Sequence, residues 1–313
     1  MLSSEHRGSL LAISSGFLYS FVGYFGISVI HASISVPNML FWRFFIASLV
    51  MLTLIFGFSK QAKFAHRDIL IAFISGVFFY GLSTLLYFFA SLYIGSGLAM
   101  VIFFTYPVMV MLINYFLYRH YIPSIYYIAI VMIIGGMIFF VDSNNMKLDI
   151  TGIALSITSA LLYAAYIVSC KKTSNLSPKI STLMVCLGCM SSSLIFSLLN
   201  HSLIIPHGWS IWLNLLGISI IATIIPILLL LYSLNYINVE KTAILSVLEP
   251  VFVLIFGVIL LGEPMKLQYI AGVVIVLGGA SLTLLSPRSG SHLHTKLNEK
   301  TDREDPGSAF DIL

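Results

Sequence analysis

Glu249 is an acidic residue inside an apolar stretch, and it is the residue of this sequence whose position most clearly suggests chemistry. It lies about ten residues into the run 240–261, so a helix would place it about 15 Å from its nearer end. A carboxylate at that depth in a bilayer costs about 2.5–3.5 kcal/mol and should face a polar interior or a partner. Two roles are open: Glu249 binds a cationic group or exchanges a proton, or it hydrogen-bonds backbone groups that Pro250 leaves open.

Three prolines interrupt apolar runs and free backbone carbonyls. Pro107 and Pro250 lie 143 positions apart, and Pro226 interrupts a third run. Because proline lacks a backbone N–H, Pro250 frees the carbonyl of Ser246 and Pro226 frees that of Ala222. Each interruption either presents backbone to a ligand or is a packing kink without one.

Arg43 is a second charge inside an apolar run, about five residues from the end of the run 38–58. Its long stem allows the head group to reach the nearby interface. Alternatively, it lies at the mouth of a cavity and attracts a carboxylate. The eight histidines form no ligand set, and Cys186 and Cys189 are interpreted as two small buried side chains on one helix face.

The composition determines which elements must position these residues. Of the 313 residues, 59% are hydrophobic and 9% are charged, against about 25% charged residues in a soluble domain. Nine of the 28 charged residues lie between 286 and 313. So few charges cannot cover a water-exposed surface, so the sequence predicts an all-α integral membrane protein and excludes a nucleic-acid-binding surface.

Ten runs are long and apolar enough to cross a bilayer as helices. They are residues 8–30, 38–58, 69–93, 97–117, 122–141, 151–170, 181–199, 211–236, 240–261 and 267–285. Ten spans place both termini on one side. If that side is cytoplasmic, the inner segments hold 13 basic residues and the outer loops hold Lys147 and Lys266, which agrees with the positive-inside rule.

The two halves of the sequence superpose at a spacing of 143 residues. Pro107 then falls on Pro250, and Gly135-Gly136 falls on Gly278-Gly279. Each half has five predicted spans, and an odd number inverts the second half in the membrane. This pattern predicts two inverted five-helix repeats with a binding site between them, near the membrane midplane.

Each copy carries short motifs. They are Ser91-Leu92-Tyr93, Gly95-Ser96-Gly97, Tyr106-Pro107 and Gly135-Gly136 in the first, and Leu248-Glu249-Pro250-Val251, Leu261-Gly262-Glu263-Pro264, Gly272 and Gly278-Gly279 in the second. With these motifs the chain resembles the drug/metabolite transporter superfamily, EamA type, across residues 8–285. The first copy departs from the pattern, with Arg119-His120 in place of the Gly262-Glu263 turn. The predicted domains are EamA-like repeats at 8–141 and 151–285 and a disordered cytoplasmic tail at 286–313.

The resemblance implies a ten-helix permease whose central cavity is lined mainly by the third and fourth helices of each half. Besides Glu249, the substrate-binding candidates on these helices and on the first helix of each half are polar or aromatic: Tyr19, Tyr80, Tyr87, Tyr106, Asn114, Tyr163, Tyr232 and Ser246. Tyrosine suits a cavity wall because it is mostly apolar with one hydrogen-bonding tip. Each tyrosine is also compatible with simple packing.

The function implied by the resemblance is gradient-driven transport of small metabolites, with export of amino acids or related compounds as the first hypothesis. Import or exchange of a nucleotide-derived metabolite is the alternative. A membrane scaffold or sensor, and an intramembrane enzyme, are hypotheses of a different class. An enzyme would need paired carboxylates, a metal set or a nucleophile–base pair at membrane depth.

The expected partners are the lipid bilayer, a small-molecule substrate and coupled protons. No cofactor, metal or nucleic acid is expected, and the oligomeric state is left open. The sequence has no phosphate-binding glycine-rich loop with a lysine, so no ATPase activity is expected. The expected location is a bacterial inner membrane, with both termini in the cytoplasm.

Overall fold

The chain forms a bundle of α-helices in the computed structural model. The structure describes residues 4–58, 66–119, 122–140, 149–173, 176–261 and 267–285. Within these residues no β-strand occurs, in keeping with a backbone that satisfies its own hydrogen bonds in lipid. The predicted tail at 286–313 and the Gly262-Glu263 turn lie outside the described residues.

The described residues of the first half form eight α-helices. They are α1 (Ser4–Tyr19), α2 (Phe21–His31), α3 (Val36–Phe58), α4 (His66–Ile74), α5 (Leu82–Ile94), α6 (Ser96–Phe103), α7 (Tyr106–Tyr118) and α8 (Ser124–Ile138). The described residues of the second half form seven. They are α9 (Ile150–Lys172), α10 (Pro178–Leu199), α11 (Trp209–Ser219), α12 (Ile225–Ser233), α13 (Val239–Ser246), α14 (Glu249–Leu261) and α15 (Leu267–Leu285).

Seven helical segments of the described chain are long and apolar enough to cross a membrane. They are Ser4–His31, Val36–Ile55, His66–Ile94, Gly97–Leu117, Ile150–Lys172, Pro178–Leu199 and Trp209–Ser233. The sequence predicted ten spans. The other three fall on the shorter apolar helices Ser124–Ile138 and Leu267–Thr283 and on the α13–α14 pair, which is interrupted near its middle.

Local sequence explains where several helices begin. Side-chain oxygens of Asp149 and Asn238 accept the backbone N–H groups of Gly152 (3.1 Å) and Lys241 (2.9 Å), which caps α9 and α13. Such caps satisfy N–H groups that have no partner within the helix. At the other end of a helix, α5 stops at Gly95, whose φ of 79° suits glycine.

Two π-helical turns lie at matching places in the halves. Ser75–Gly81 joins α4 to α5, and Ile220–Ile224 joins α11 to α12. Adding the repeat spacing of 143 to residues 75–81 gives 218–224, which contains the second turn. The π-helical turns therefore follow the same repeat that was inferred from the sequence. Such turns occur often at functional sites.

The two halves are interlocked. Helix α1 packs against α12, α13 and α14 of the second half, and α9 packs against α5, α6 and α7 of the first. Two further pairs, α3 with α10 and α8 with α15, join equivalent helices. The site where the halves meet is therefore built from both.

Glycine permits the close contact between α8 and α15. A Cβ atom on Gly136 would lie 2.9 Å from the Gly272 carbonyl oxygen, and one on Gly279 would lie 2.7 Å from the Ala129 carbonyl oxygen. Small residues allow such backbone approach in membrane helices. One glycine of each repeated Gly-Gly pair is thus required by packing.

Candidate functional site

The fourth predicted span of each half is broken at the same repeat position. Helix α6 ends at Phe103 and α7 begins at Tyr106, while α13 ends at Ser246 and α14 begins at Glu249. These boundaries differ by 143 residues, so Tyr106 and Glu249 occupy equivalent places. Each new helix has a proline as its second residue, where a missing N–H costs nothing. The prolines therefore start the second helix of each pair.

Backbone at the α13–α14 break is bonded by the other half of the chain. The Val247 N–H donates to the Ile244 carbonyl at 3.2 Å, in a turn tighter than an α-helix. The Tyr106 hydroxyl donates to the Ala243 carbonyl at 3.1 Å. On the other side, Gly16 of α1 lies so close to the break that a Cβ atom there would be 2.9 Å from the Ser246 oxygen.

Glu249 stands at the first position of α14 and is partly exposed. Within the described part of the chain, its carboxylate makes no ion pair within 4.0 Å. The N-terminus of a helix carries a partial positive charge, which favours a carboxylate. Glu249 therefore has electrostatic support from α14 while its oxygens keep the capacity to accept a ligand's hydrogen bonds.

Aromatic side chains surround this carboxylate; with Glu249 itself, we call them the central cluster. Tyr87, Tyr106 and Tyr163 lie within electrostatic range of Glu249. The Tyr106 and Tyr163 rings meet edge to face at 4.8 Å between centroids, and Phe103 lies 5.2 Å from both Tyr87 and Tyr163. The cluster combines one carboxyl group with aromatic faces, which attract cations and apolar groups.

A second aromatic layer continues from the central cluster. The Tyr80 ring stacks on that of Tyr166 at 4.8 Å and lies 5.8 Å from that of Tyr163. Tyr19, at the end of α1, is 5% exposed and within electrostatic range of these three hydroxyls. Tyr19 and Tyr80 come from the first half and the other two from the second, so both halves form this layer.

Arg43 lies inside the bundle with 1% of its surface exposed. Its Nε donates to the Thr223 hydroxyl at 2.6 Å, and its Nη2 donates to the Ala222 carbonyl at 3.2 Å. Both acceptors belong to the π-helical turn before Pro226, and Ala222 is the residue whose carbonyl that proline frees. Arg43 also lies within electrostatic range of Glu249. The π-helical turn therefore holds a guanidinium group near the central cluster.

A separate polar network joins the halves at the end of the bundle where α1 begins; we call it the terminal network. Lys241 forms an ion pair with Glu5 at 2.6 Å, and Asn114 donates to Glu240 at 2.6 Å. Glu240 and Lys241 are 5% and 4% exposed. Lys171 donates to the Leu234 carbonyl at 2.8 Å and lies within electrostatic range of Glu240. The Glu5–Lys241 and Asn114–Glu240 contacts join the halves at that end.

The structure brings most of the predicted site residues together. The seven that lie in the central cluster or next to it are Tyr19, Tyr80, Tyr87, Tyr106, Tyr163, Ser246 and Glu249. Asn114 instead belongs to the terminal network. Tyr232 is 37% exposed on α12 and makes no ring contact with the cluster within the described chain.

Several neighbours of the site were missed from the sequence. Tyr166 follows Tyr163 by three positions and so shares its helix face, a spacing that the sequence displays. Phe103 precedes the first break by one residue. Thr223 and Glu240 had no comparable signal, because their roles depend on contacts made across the halves.

Comparisons with known proteins agree with the two-repeat organisation. The model of the EamA-like transporter family matches residues 6–141 and 150–285. An uncharacterized transporter of Archaeoglobus fulgidus is 29% identical over 68 residues, which cover 22% of this chain and 25% of that protein. The chain thus matches about a quarter of that relative's length.

The fold has a counterpart among solved structures. One crystal structure superposes with a TM-score of 0.78, covering 89% of this chain and 98% of the other. Sequence identity in that superposition is 16%, so the similarity concerns the fold alone.

Proposed function

Because the chain belongs to the EamA-like transporter family, we propose that it is a gradient-driven transporter of small metabolites that works by alternating access. The observation that carries this proposal is the place of Glu249. It lies beside tyrosines from both halves, where the repeated helices break. Broken helices at matching places are the feature that secondary transporters use to present backbone and charge to a substrate.

The proposed topology has ten spans with both termini in the cytoplasm of a bacterial cell, in the inner membrane. The α13–α14 pair and the shorter helices α8 and α15 supply the three spans beyond the seven long ones. The 13 basic residues in the inner segments, against two in the outer loops, support this orientation. On this topology the terminal network lies at the cytoplasmic end.

The proposed cycle opens the two ends of the bundle in turn. The terminal network connects Glu5 and Asn114 of the first half to Lys241 and Glu240 of the second. An opening to the cytoplasm must separate these pairs. In the proposed cycle, the state in which these pairs are intact is the one closed at the cytoplasmic end.

The proposed substrate is an amino acid or a related compound, moved outward. Glu249 binds its cationic group or exchanges a coupled proton, and the aromatic faces contact its apolar part. Import or exchange of a nucleotide-derived metabolite is the second candidate, for which stacking on the tyrosine rings is the supporting observation. The partners in this proposal are the bilayer, the substrate and protons.

A metabolite screen tests the proposed function. Cells with and without the gene are compared for the retention and uptake of small metabolites. We expect at least one metabolite to change in level with the wild-type gene. The Glu249→Gln variant should reduce that change about tenfold or more, because hydrogen bonds to charged groups contribute about 1.5–3 kcal/mol and about 1.4 kcal/mol corresponds to tenfold.

The matched control is Asp68→Asn, the same neutralisation in the first turn of α4, away from the central cluster. It should retain the wild-type effect. No change in any metabolite with the wild-type gene would contradict the proposed function. Equal loss in the two variants would contradict the role of Glu249.

A further inference from the structure

Within the described chain, one guanidinium nitrogen of Arg43 makes no hydrogen bond. Nε and Nη2 are bound by Thr223 and Ala222, as described above. The remaining nitrogen, Nη1, is buried and has no hydrogen-bond partner among the residues that the structure describes. Leaving a buried donor unpaired is costly, more so for a charged group. Nη1 therefore remains available to a hydrogen-bond acceptor that the described part of the chain does not supply.

The charge of Arg43 is also left without direct neutralisation. Glu249 is within electrostatic range, yet no nitrogen of Arg43 lies within 4.0 Å of its carboxylate. Four uncharged groups of the described chain also lie near the guanidinium: the Phe44 ring at 5.1 Å and, within electrostatic range, Tyr80, Cys186 and Cys189. The guanidinium of Arg43 and the carboxyl group of Glu249 thus lie within electrostatic range of each other without direct contact.

The separation of these charges points to a ligand that bridges them. In an apolar interior, unpaired charges are costly, and a bound molecule with complementary groups offsets that cost. Nη1 carries two N–H groups, which suit one oxygen of a carboxylate. A doubly charged phosphate fits less well, because the Glu249 carboxylate would repel it.

We infer that Arg43 is the anion-binding residue of the transport site and that its Nη1 binds a carboxylate of the substrate. Glu249 binds the cationic group of the same molecule, so the preferred substrate is a small zwitterion. This inference rests on the proposed transport function. Because Arg43 is 1% exposed, the substrate reaches it when the surrounding helices separate during the cycle.

Purified protein in proteoliposomes tests this inference with a defined mixture of amino acids, the corresponding decarboxylated amines, monocarboxylates, phosphate monoesters and neutral nucleosides. Uptake of each compound is measured by mass spectrometry. We expect the wild-type protein to take up zwitterions at least about tenfold faster than the amines that lack a carboxylate. In Arg43→Gln this preference should disappear, while Arg43→Lys should retain part of it.

Two further variants separate recognition from folding. Thr223→Val removes the acceptor of Arg43 Nε but keeps the charge, so zwitterion uptake should fall while the preference remains. Lys241→Gln removes another buried cation, which is already paired with Glu5. The uptake rate of this variant should change, but its preference for zwitterions should match that of the wild type. Thermal unfolding of each variant reports whether it is folded.

Each outcome has a definite meaning. Preferred uptake of amines, nucleosides or phosphate monoesters by the wild-type protein overturns the inference and leaves the transport function standing. An unchanged preference for zwitterions in folded Arg43→Gln also overturns it. Should Arg43→Gln fail to fold, Arg43→Lys decides the question: a reduced preference for zwitterions supports the inference, and an undiminished preference in the folded variant overturns it. No uptake of any compound overturns both the inference and the proposed function.

Discussion

Tyr106 and Glu249 occupy the same place in the two halves, and their chemistry differs. Each is the first residue of a helix that follows a break. Tyr106 donates its hydroxyl hydrogen to backbone of the other half, whereas Glu249 keeps its oxygens free of ion pairs within the described chain. One half therefore supplies a structural hydrogen bond at this position and the other a charge for a ligand.

Replacing Tyr106 with Phe removes the hydrogen bond to the Ala243 carbonyl. We expect the free energy of unfolding to fall by about 1–3 kcal/mol, because a buried carbonyl is left unpaired. Denaturant unfolding in detergent measures this loss. The control is Tyr115→Phe, also on α7, where the side chain is 55% exposed. Equal stability of the two variants would contradict the role given to Tyr106.

At the scale of elements, sequence and structure agree best where proline or glycine acts locally. Pro107 and Pro250 mark the starts of α7 and α14 within one residue, because proline constrains its own backbone wherever it stands. The π-helical turns had less signal, since Pro226 follows the second turn and marks its Ala222 carbonyl but does not by itself predict a π-helix. Ser75–Gly81 contains no proline, and Ile220–Ile224 is stabilised in part by Arg43, a residue about 180 positions earlier.

The contact between α8 and α15 allows a test with two adjacent glycines. Gly136→Ala places a Cβ atom 2.9 Å from the Gly272 carbonyl oxygen, while Gly135→Ala has nothing within 4 Å. We expect Gly136→Ala to destabilise the fold by about 1–3 kcal/mol through overpacking. Gly135→Ala should be neutral or stabilise it by up to about 1 kcal/mol through helix propensity.

Thermal unfolding of the two glycine variants, purified in the same detergent, makes the comparison. Because both variants replace glycine with alanine in the same helix, helix propensity cannot explain a difference between their changes in stability. If Gly135→Ala proved the more destabilising variant, the assigned faces of α8 would be incorrect.

For the whole molecule, the repeat was visible in the sequence but the interlocking of its halves was not. Paired prolines and glycines revealed a spacing of 143 residues. Which helix contacts which depends on distant surfaces, so the packing of α1 on α13 and α14 had to come from the structure. The terminal network was missed for the same reason, since Asn114 and Glu240 are 126 positions apart.

The terminal network predicts how opening is controlled. Asn114→Ala removes one of the bonds that join the halves, so the cytoplasmic end should open more often. Cys170, which is 5% exposed and lies one residue from Lys171 of the network, is a suitable reporter. The experiment uses a variant whose only cysteine is Cys170. We expect alkylation of Cys170 by N-ethylmaleimide to accelerate several-fold. The rate should rise about tenfold for each 1.4 kcal/mol by which Asn114→Ala destabilises the closed state relative to the open state.

The control for this experiment is Asn214→Ala. The Asn214 side chain donates to the Ser210 carbonyl within its own helix and does not join the halves. Alkylation of Cys170 should therefore stay at the wild-type rate. An unchanged rate in Asn114→Ala would show that the network does not hold the cytoplasmic end closed.

We propose that this chain alone moves a small metabolite through a site that contains Glu249. The decisive test is flux into proteoliposomes that hold the purified protein, under a proton gradient and with a defined metabolite mixture. We expect gradient-dependent flux of at least one compound, reduced about tenfold or more in Glu249→Gln and retained in Asp68→Asn. Absence of flux in folded wild-type protein, or undiminished flux in Glu249→Gln, would contradict it.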